Sequence, residues 1–219
     1  MIFDGHSDIF SDVRYKREAG ETQVLKNHHL DRLRKGGIGG ACFVIWADTY
    51  NGHAPKDEME AIVKGIKGEM AETKEFVLIH NVEELKAAEA AGKFAILLGI
   101  EGLAGIGEDL SKIDELYDLG ARHAMLTWNE ENALATGVKG DPNRGVTELG
   151  KQAIKKLQEK KMILDVSHIN EKSFWDVIDL ATGPILASHS NAKALASAAR
   201  NLTDDQLRAI RDTNGLVGL

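Results

Sequence analysis

The sequence predicts an α/β fold, a (β/α)₈ barrel of the TIM type, and two observations predict it. First, compact apolar runs alternate with segments of helical periodicity, as expected of parallel strands that helices cover on both faces. Second, side chains able to bind metal follow four of those runs, and a barrel rim gathers the carboxyl ends of strands that are distant in sequence. An open doubly wound sheet would collect its ligands at one switch point, so the barrel is the better prediction.

The predicted strands are six compact apolar runs and the start of a seventh. The six runs are 2–5, 39–47, 94–100, 123–127, 162–166 and 184–188. The segment GLVGL at 215–219 begins another strand of the same kind. The sequence therefore predicts a single metal-dependent hydrolase barrel domain over residues 1–219 that is truncated within strand 7, and we expect the natural protein to be longer.

Helices are predicted between these strands. Apolar residues recur at helical spacing in two clear cases, Met59, Ile62, Val63, Ile66 and Met70, and Leu110, Ile113, Leu116 and Tyr117. Asn81, Asn170 and Thr203 are residue types that cap helix N-termini, and each precedes such a segment. The stretch from Gly137 to Gly145 is predicted to be a long loop on the barrel rim.

Composition excludes several classes of function. The chain has 27 basic and 34 acidic residues and a net charge of −7 without long runs, so no basic surface for nucleic acid is expected. Its single cysteine, Cys42, lies in an apolar run, which excludes an intrachain disulfide and a cysteine metal cluster. Since the sequence contains neither a secretory leader nor a long apolar span, we expect a cytoplasmic protein without membrane contact.

Five residues in four motifs are candidate metal ligands. His6 and Asp8 are two residues apart in DGHSD, which places both side chains on one face if the strand continues through them. Glu101 ends the apolar run AILLGIEG, where an unpaired buried carboxylate would be costly. His168 and His189 each close a strand, and their separation of 21 residues is that of neighbouring strands in an α/β fold. Taken singly, each histidine is more often a hydrogen-bonded core residue, and Glu101 could equally form a buried ion pair.

Taken together, the five candidates fit two divalent metal ions better than one. Three imidazoles and two carboxylates exceed the four ligands of a tetrahedral zinc site, whereas a pair of ions can share one carboxylate. We expect Glu101 to be that bridging ligand. Because two metal ions can hold a hydroxide at neutral pH and polarise a carbonyl, hydrolysis of an amide or ester is the implied reaction.

The remaining polar candidates have lesser predicted roles. Asp4, Asp165 and Ser167 are predicted to orient the ligand imidazoles. The other five histidines are predicted to be structural or solvated: His28, His29, His53, His80 and His123.

The motifs DGHSD, GIEG, LDVSH and SHSNAKALASAARNLTDDQL, in this order, resemble the membrane (renal) dipeptidase family, peptidase family M19. Members of that family are dizinc peptidases, and many are soluble bacterial dipeptidases. The resemblance implies that His6, Asp8 and Glu101 hold one zinc ion and that Glu101, His168 and His189 hold the second. It also implies that Arg200 binds the carboxylate of a dipeptide or similar small substrate, a role that suits a guanidinium.

Two departures from the family pattern qualify this resemblance. Trp128 stands where mammalian members carry a histidine that orients the scissile carbonyl, so that contact is lost or is supplied by Asn129. The family's acid/base aspartate would lie beyond Leu219. Two alternatives therefore stay open, namely another dinuclear amidohydrolase acting on a lactam, a lactone or an N-acyl amino acid, and a non-catalytic metal-binding remnant. The oligomeric state also stays open, with a homodimer among the candidates.

Overall fold

A computed structural model describes residues 1–47 and 52–219 of the chain. The strands are β1 (Ile2–Ser7), β2 (Ile38–Trp46), β3 (Phe76–Leu78), β4 (Phe94–Glu101), β5 (Ala121–Met125), β6 (Ile163–Asp165), β7 (Ile185–Ala187) and β8 (Leu216–Val217). The α-helices are α1 (Ile9–Glu18), α2 (Asp31–Lys35), α3 (Pro55–Glu72), α4 (Val82–Ala90), α5 (Lys112–Leu119), α6 (Glu148–Glu159), α7 (Glu171–Leu180) and α8 (Asp204–Asp212). A π-helix, Leu25–Leu30, precedes α2, and a 3₁₀ turn, Ala104–Ile106, follows β4.

The strands form one parallel sheet in the order β1-β2-β4-β5-β6-β7-β8, with β3 paired to the amino-terminal half of β4. The seven strands of the main path correspond to the predicted apolar runs and the predicted start of a seventh strand. The short strand β3 was missed, because its three residues give too little alternation to distinguish a strand from a loop. In the described part of the chain, no pairing joins β1 to β8, so the sheet is open between these two strands.

The centre of the sheet is apolar because β2 and β4 are covered on both faces. Their register runs from Gly40 beside Ala95 to Trp46 beside Glu101. Phe43 of β2 is fully buried and packs edge-on against Phe10 of α1, with ring centroids 5.5 Å apart. Such fully buried aromatic contacts are the main source of hydrophobic stabilisation in a layered α/β fold.

The helix starts confirm the predicted caps. Asn81 accepts a hydrogen bond from the Glu84 backbone N–H at 2.8 Å, and Thr203 forms a complete capping box with Gln206. Asn170 accepts from the Ser173 backbone N–H at 2.8 Å. These caps fix where α4, α7 and α8 begin, and α7 and α8 follow the strand ends that carry candidate ligands.

The two ends of the sheet differ in chemistry. At the amino ends of the strands, between β1 and β8, a largely apolar cavity of about 610 Å³ is lined by residues that include Phe3, Cys42 and Leu216. At the carboxyl ends, the polar candidate residues gather on one rim. Within the described ranges, no helix has the length and apolar character needed to cross a membrane.

Candidate metal centre

Glu101 lies at the centre of the rim because it is the last residue of the most buried strand. It is 4% exposed, and its carboxylate is surrounded by three imidazoles. Oε1 lies 3.0 Å from His168 Nε2 and 3.5 Å from His189 Nε2, and Oε2 lies 3.3 Å from His6 Nε2. The chain turns immediately after Glu101 at Gly102, whose φ of +82° suits glycine.

His168 and His189 follow neighbouring strands, as predicted from their separation. Their Nε2 atoms lie 2.7 Å apart, so both rings are directed at the same point beside Glu101. The opposite nitrogen of each ring has its own partner, since Asn129 Oδ1 lies 2.9 Å from His168 Nδ1 and Ser188 Oγ lies 2.9 Å from His189 Nδ1. Partners at Nδ1 leave Nε2 as the coordinating atom, which is the usual arrangement of metal-binding histidines.

His6 completes this group from β1. One ring nitrogen each of His6 and His189, together with a carboxylate oxygen of Glu101, lie within 4.8 Å of one another, a spacing that allows a shared metal ion. Asp8 is less closely held than predicted. Strand β1 ends at Ser7, Asp8 is the N-cap of α1, and its half-exposed carboxylate lies 3.7 Å from His6 Nε2.

The electrostatics of the group are those of a buried carboxylate among imidazoles. Burial raises the pKa of Glu101, but the contacts with His168, His189 and His6 outweigh it and hold that pKa well below its usual range. Burial lowers the pKa of His6, whereas Asp8 and Glu101 raise it, and the net result is a pKa of about 9. Burial lowers the pKa of His189, the contact with Glu101 raises it, and the nearby His6, Arg200 and His168 lower it, so the net shift is downward. The group therefore combines an ionised carboxylate with an imidazole, His6, that binds a proton strongly.

Arg200 reaches the same rim from the segment before α8. Nη1 donates to the His189 carbonyl at 2.8 Å, and Nη2 lies 2.8 Å from His168 Nε2. Nε is buried and has no hydrogen-bond partner among the described residues. A guanidinium donor is therefore available beside the imidazole group.

Trp128 and Asn129 also lie beside the group, in different ways. The Trp128 ring is 5.9 Å from the His168 ring and packs edge-on against Trp46 at 5.2 Å. The Asn129 side chain hydrogen-bonds directly to His168, one of the candidate metal ligands. Trp46 was not singled out in the sequence, because an aromatic residue at the end of an apolar strand gives no signal that separates a site wall from core.

The residues predicted to orient the imidazoles contact the backbone instead. Asp4 accepts from the His6 backbone N–H at 3.2 Å, Asp165 accepts from the Ser167 N–H at 2.7 Å, and the Ser167 hydroxyl accepts from the His189 N–H at 3.3 Å. Ser188 was missed as a partner of His189, since a serine before a histidine carries no pattern of its own.

The other histidines lie away from the imidazole group. His29, His80 and His123 pair with Asp12, Glu84 and Asp165 at 2.7, 2.8 and 2.7 Å, and His28 pairs with Glu21. His53 is exposed. This placement agrees with their predicted structural or solvated roles.

Comparison with known proteins gives the family and the fold of the chain. The sequence profile of the membrane dipeptidase family, peptidase family M19, matches residues 1–219. An uncharacterised protein of Acinetobacter calcoaceticus, encoded in the PQQ-III 3′ region, is 31% identical over 249 aligned positions, which cover 100% of this chain and 79% of that protein.

Two solved structures share the fold. Dipeptidase AC, a family M19 metallopeptidase, superposes with a TM-score of 0.89 at 27% identity, over 100% of this chain and 72% of that one. A metallopeptidase of Rhodobacter sphaeroides, bound to a phosphinate mimic of the dipeptide L-Ala-D-Ala, superposes with a TM-score of 0.88 at 26% identity, over 100% of this chain and 73% of that one. These superpositions confirm the predicted TIM-type barrel class, and the chain spans 72% and 73% of the length of the two solved chains. The chain belongs to the membrane dipeptidase family, peptidase family M19.

Proposed function

We propose that this protein is a metal-dependent dipeptidase that hydrolyses the peptide bond of dipeptides with two zinc ions on the barrel rim. The observation that carries the proposal is the buried carboxylate of Glu101, contacted by Nε2 of three histidines at 3.0 to 3.5 Å. A structural ion pair requires one partner, whereas three imidazoles directed at one carboxylate are a ligand set for metal ions.

The donor chemistry fits two divalent ions. His6, Asp8 and Glu101 would hold one, and Glu101, His168 and His189 would hold the other, with Glu101 shared. Imidazole nitrogen and carboxylate oxygen are the ligands that zinc takes in hydrolases. The Nδ1 partners Asn129 and Ser188 support this assignment, because ligand imidazoles are usually oriented by a hydrogen bond at the other ring nitrogen.

When bound, a pair of such ions would supply Lewis-acid chemistry, since it would activate water near neutral pH and polarise the substrate carbonyl. The chain's own residues supply the rest of the arrangement. Glu101 holds negative charge at the centre of the site and remains ionised at neutral pH, since the imidazoles depress its pKa. The Trp128 ring, with its centroid 5.9 Å from that of His168, gives this side of the site an apolar surface.

Arg200 is the proposed contact for the free carboxylate of the substrate. A guanidinium binds a carboxylate in a fork of two parallel hydrogen bonds. Nη2 of Arg200 lies 2.8 Å from His168 Nε2, which brings the guanidinium to the imidazole group, and Nε has no hydrogen-bond partner among the described residues.

Metal content is the first test of the proposal. We expect the protein purified without chelators to retain close to two equivalents of zinc by elemental analysis, and Glu101→Gln to retain far less. Arg208→Met, a change on the exposed face of α8, is the control and should leave the zinc content unchanged. A zinc content below about one equivalent in the unaltered protein would contradict the proposal.

Substrate specificity is the second test. The zinc-loaded protein is assayed on a dipeptide panel that includes L-Ala-D-Ala, on the same dipeptides with an amidated C-terminus, and on N-acyl amino acids. We expect free dipeptides to be hydrolysed fastest, and Arg200→Met to remove the preference for a free carboxylate by raising KM. Hydrolysis of the N-acyl amino acids alone would indicate another amidohydrolase, and no hydrolysis by a protein with both metals bound would indicate a binding role.

A further inference from the structure

Asp165 is a buried carboxylate that the proposed chemistry does not use. It is the last residue of β6, it is 2% exposed, and none of its hydrogen bonds goes to a candidate metal ligand's imidazole. Oδ1 accepts from the Ser167 backbone N–H at 2.7 Å, and Oδ2 accepts from the Ser188 backbone N–H at 3.2 Å. Burying a carboxylate is costly unless its oxygens are satisfied, and here backbone donors satisfy them.

These two donors belong to different strand ends. Ser167 directly precedes His168 after β6, and Ser188 directly precedes His189 after β7. A single carboxylate therefore ties together the two segments that carry neighbouring imidazoles. The Ser167 hydroxyl adds a second tie, because it accepts from the His189 backbone N–H at 3.3 Å.

The backbone at His168 requires such support. Its φ is +69°, in the left-handed region that residues with a side chain rarely adopt. Holding a residue there costs on the order of 1–3 kcal/mol, which surrounding contacts have to offset. The Asp165 bond to the residue two positions ahead stabilises the start of this turn, and the His168 carbonyl accepts from the Val138 N–H at 2.9 Å.

His123 fixes Asp165 from the adjacent strand β5. Nε2 of His123, itself fully buried, donates to Asp165 Oδ2 at 2.7 Å. Gly99 of β4 leaves the space that His123 occupies, since a Cβ at this position would lie 2.6 Å from His123 Nδ1 and 2.8 Å from Cys42 Sγ. The carboxylate is thus held between three strands, β5, β6 and β7, directly below the rim.

We propose that Asp165, held by His123, is a positioning residue that sets the spacing between His168 and His189 and thereby the affinity of the metal site they form. The role rests on the proposed metal-dependent function. It explains why the two Nε2 atoms converge to 2.7 Å beside Glu101 although they come from separate strands. It also assigns a purpose to a buried histidine and aspartate that touch neither substrate nor metal.

Asp165→Asn is the direct test, because asparagine keeps the shape and replaces one acceptor oxygen with a donor amide. We expect the variant to bind one of two zinc equivalents about 10- to 100-fold more weakly, the loss typical of groups that support metal ligands. Zinc affinity is measured by competition with a chromogenic chelator. Substitution with cobalt(II) reports on ligand geometry, and we expect a changed absorption spectrum for one of two cobalt ions.

The matched control is Asp109→Asn. Asp109 is exposed and makes the same local contact, accepting from the backbone N–H of Ser111 two residues ahead at 2.9 Å, but its carboxylate hydrogen-bonds only to Ser111 among the described residues. Its replacement should leave zinc affinity and the cobalt spectrum unchanged. A purely structural role of Asp165 would lower the melting temperature of the metal-free variant and leave the zinc affinity of the folded fraction as it was.

The outcomes separate this inference from the proposed function. No zinc binding by the unaltered protein would refute the metal site itself. Normal zinc binding by the unaltered protein and equal affinities in Asp165→Asn would refute only the positioning role. If Asp165→Asn does not fold, His123→Asn decides, since its shorter side chain does not reach Asp165 Oδ2 and so removes the anchor, while both backbone bonds of Asp165 remain. We expect zinc binding about tenfold weaker in that variant, and an unchanged affinity would overturn the inference.

Discussion

The raised pKa of His6 predicts that zinc affinity depends steeply on pH. In the metal-free protein, Asp8 and Glu101 outweigh the effect of burial and raise the pKa of His6 to about 9. Zinc binds only the unprotonated imidazole, so binding at neutral pH has to displace a proton. Zinc affinity should therefore fall as the pH is lowered below about 9, because protonation of His6 competes with zinc binding.

The magnitude follows from the same pKa. At pH 7, two units below the pKa of about 9, roughly one His6 imidazole in a hundred is unprotonated. Each further unit of acidification should reduce zinc affinity about tenfold, which corresponds to about 1.4 kcal/mol of binding free energy. Between pH 6 and pH 8 we therefore expect an increase of about 100-fold. Glu101 adds no proton of its own in this range, since its pKa lies well below normal.

The assay is zinc competition against a chelator of known affinity at pH 6, 7 and 8, corrected for protonation of the chelator and hydrolysis of zinc. Calorimetry in buffers of different ionisation enthalpy counts the protons released independently. The control is His80→Asn, which alters a histidine that precedes α4 and pairs with Glu84. This variant should show the same change of zinc affinity with pH as the unaltered protein. A zinc affinity that varies less than threefold over this range, with no proton release, would refute the reasoning.

Three further predictions concern the support of the rim. Gly99→Ala places a Cβ 2.6 Å from His123 Nδ1, and we expect the free energy of unfolding, measured with urea, to fall by about 1–3 kcal/mol. An unchanged unfolding midpoint would show that β4 and β5 shift to accommodate the methyl group without cost. Asn170→Ala removes a cap and two hydrogen bonds to loop carbonyls and should cost about 2 kcal/mol, against about 1 kcal/mol for the exposed cap Asn81→Ala; equal losses would contradict this difference. Burial lowers the pKa of His123, but Cys42 and Asp165 raise it, and the net result is a pKa of about 10. The difference in the free energy of unfolding between the unaltered protein and His123→Asn should therefore be largest below pH 6.5 and decline toward pH 10. A difference that does not change with pH would contradict this prediction.

The alternation of strands and helices could be predicted because it depends on local patterns. Strands such as β2 and β4 are continuous apolar runs, and the helix caps at Asn81 and Asn170 are determined by residues within four positions of each other. The strand β3 was missed because three residues carry no reliable period. The ligand candidates could be predicted for a related reason, since a polar residue at the end of an apolar run is visible without knowing what it contacts.

The relative placement of those candidates could not be predicted from the local sequence. Ser188 beside His189, and Trp46 beside Trp128, are contacts between ordinary residues whose proximity depends on the packing of whole strands. Asp8 illustrates the same point, because where β1 ends and α1 begins decides how far its carboxylate lies from His6.

The sequence by itself determined the parallel α/β class, all the strands except β3 and the five candidate ligands, because hydrophobic periodicity and residue type act over short distances along the chain. Only the tertiary structure decided that Glu101 lies among three imidazoles, that Arg200 reaches the same group, and that Asp165 joins the ends of β6 and β7. Hydrogen bonds and charge interactions depend on distances of a few ångströms between residues far apart in sequence, and those distances exist only once the strands have paired.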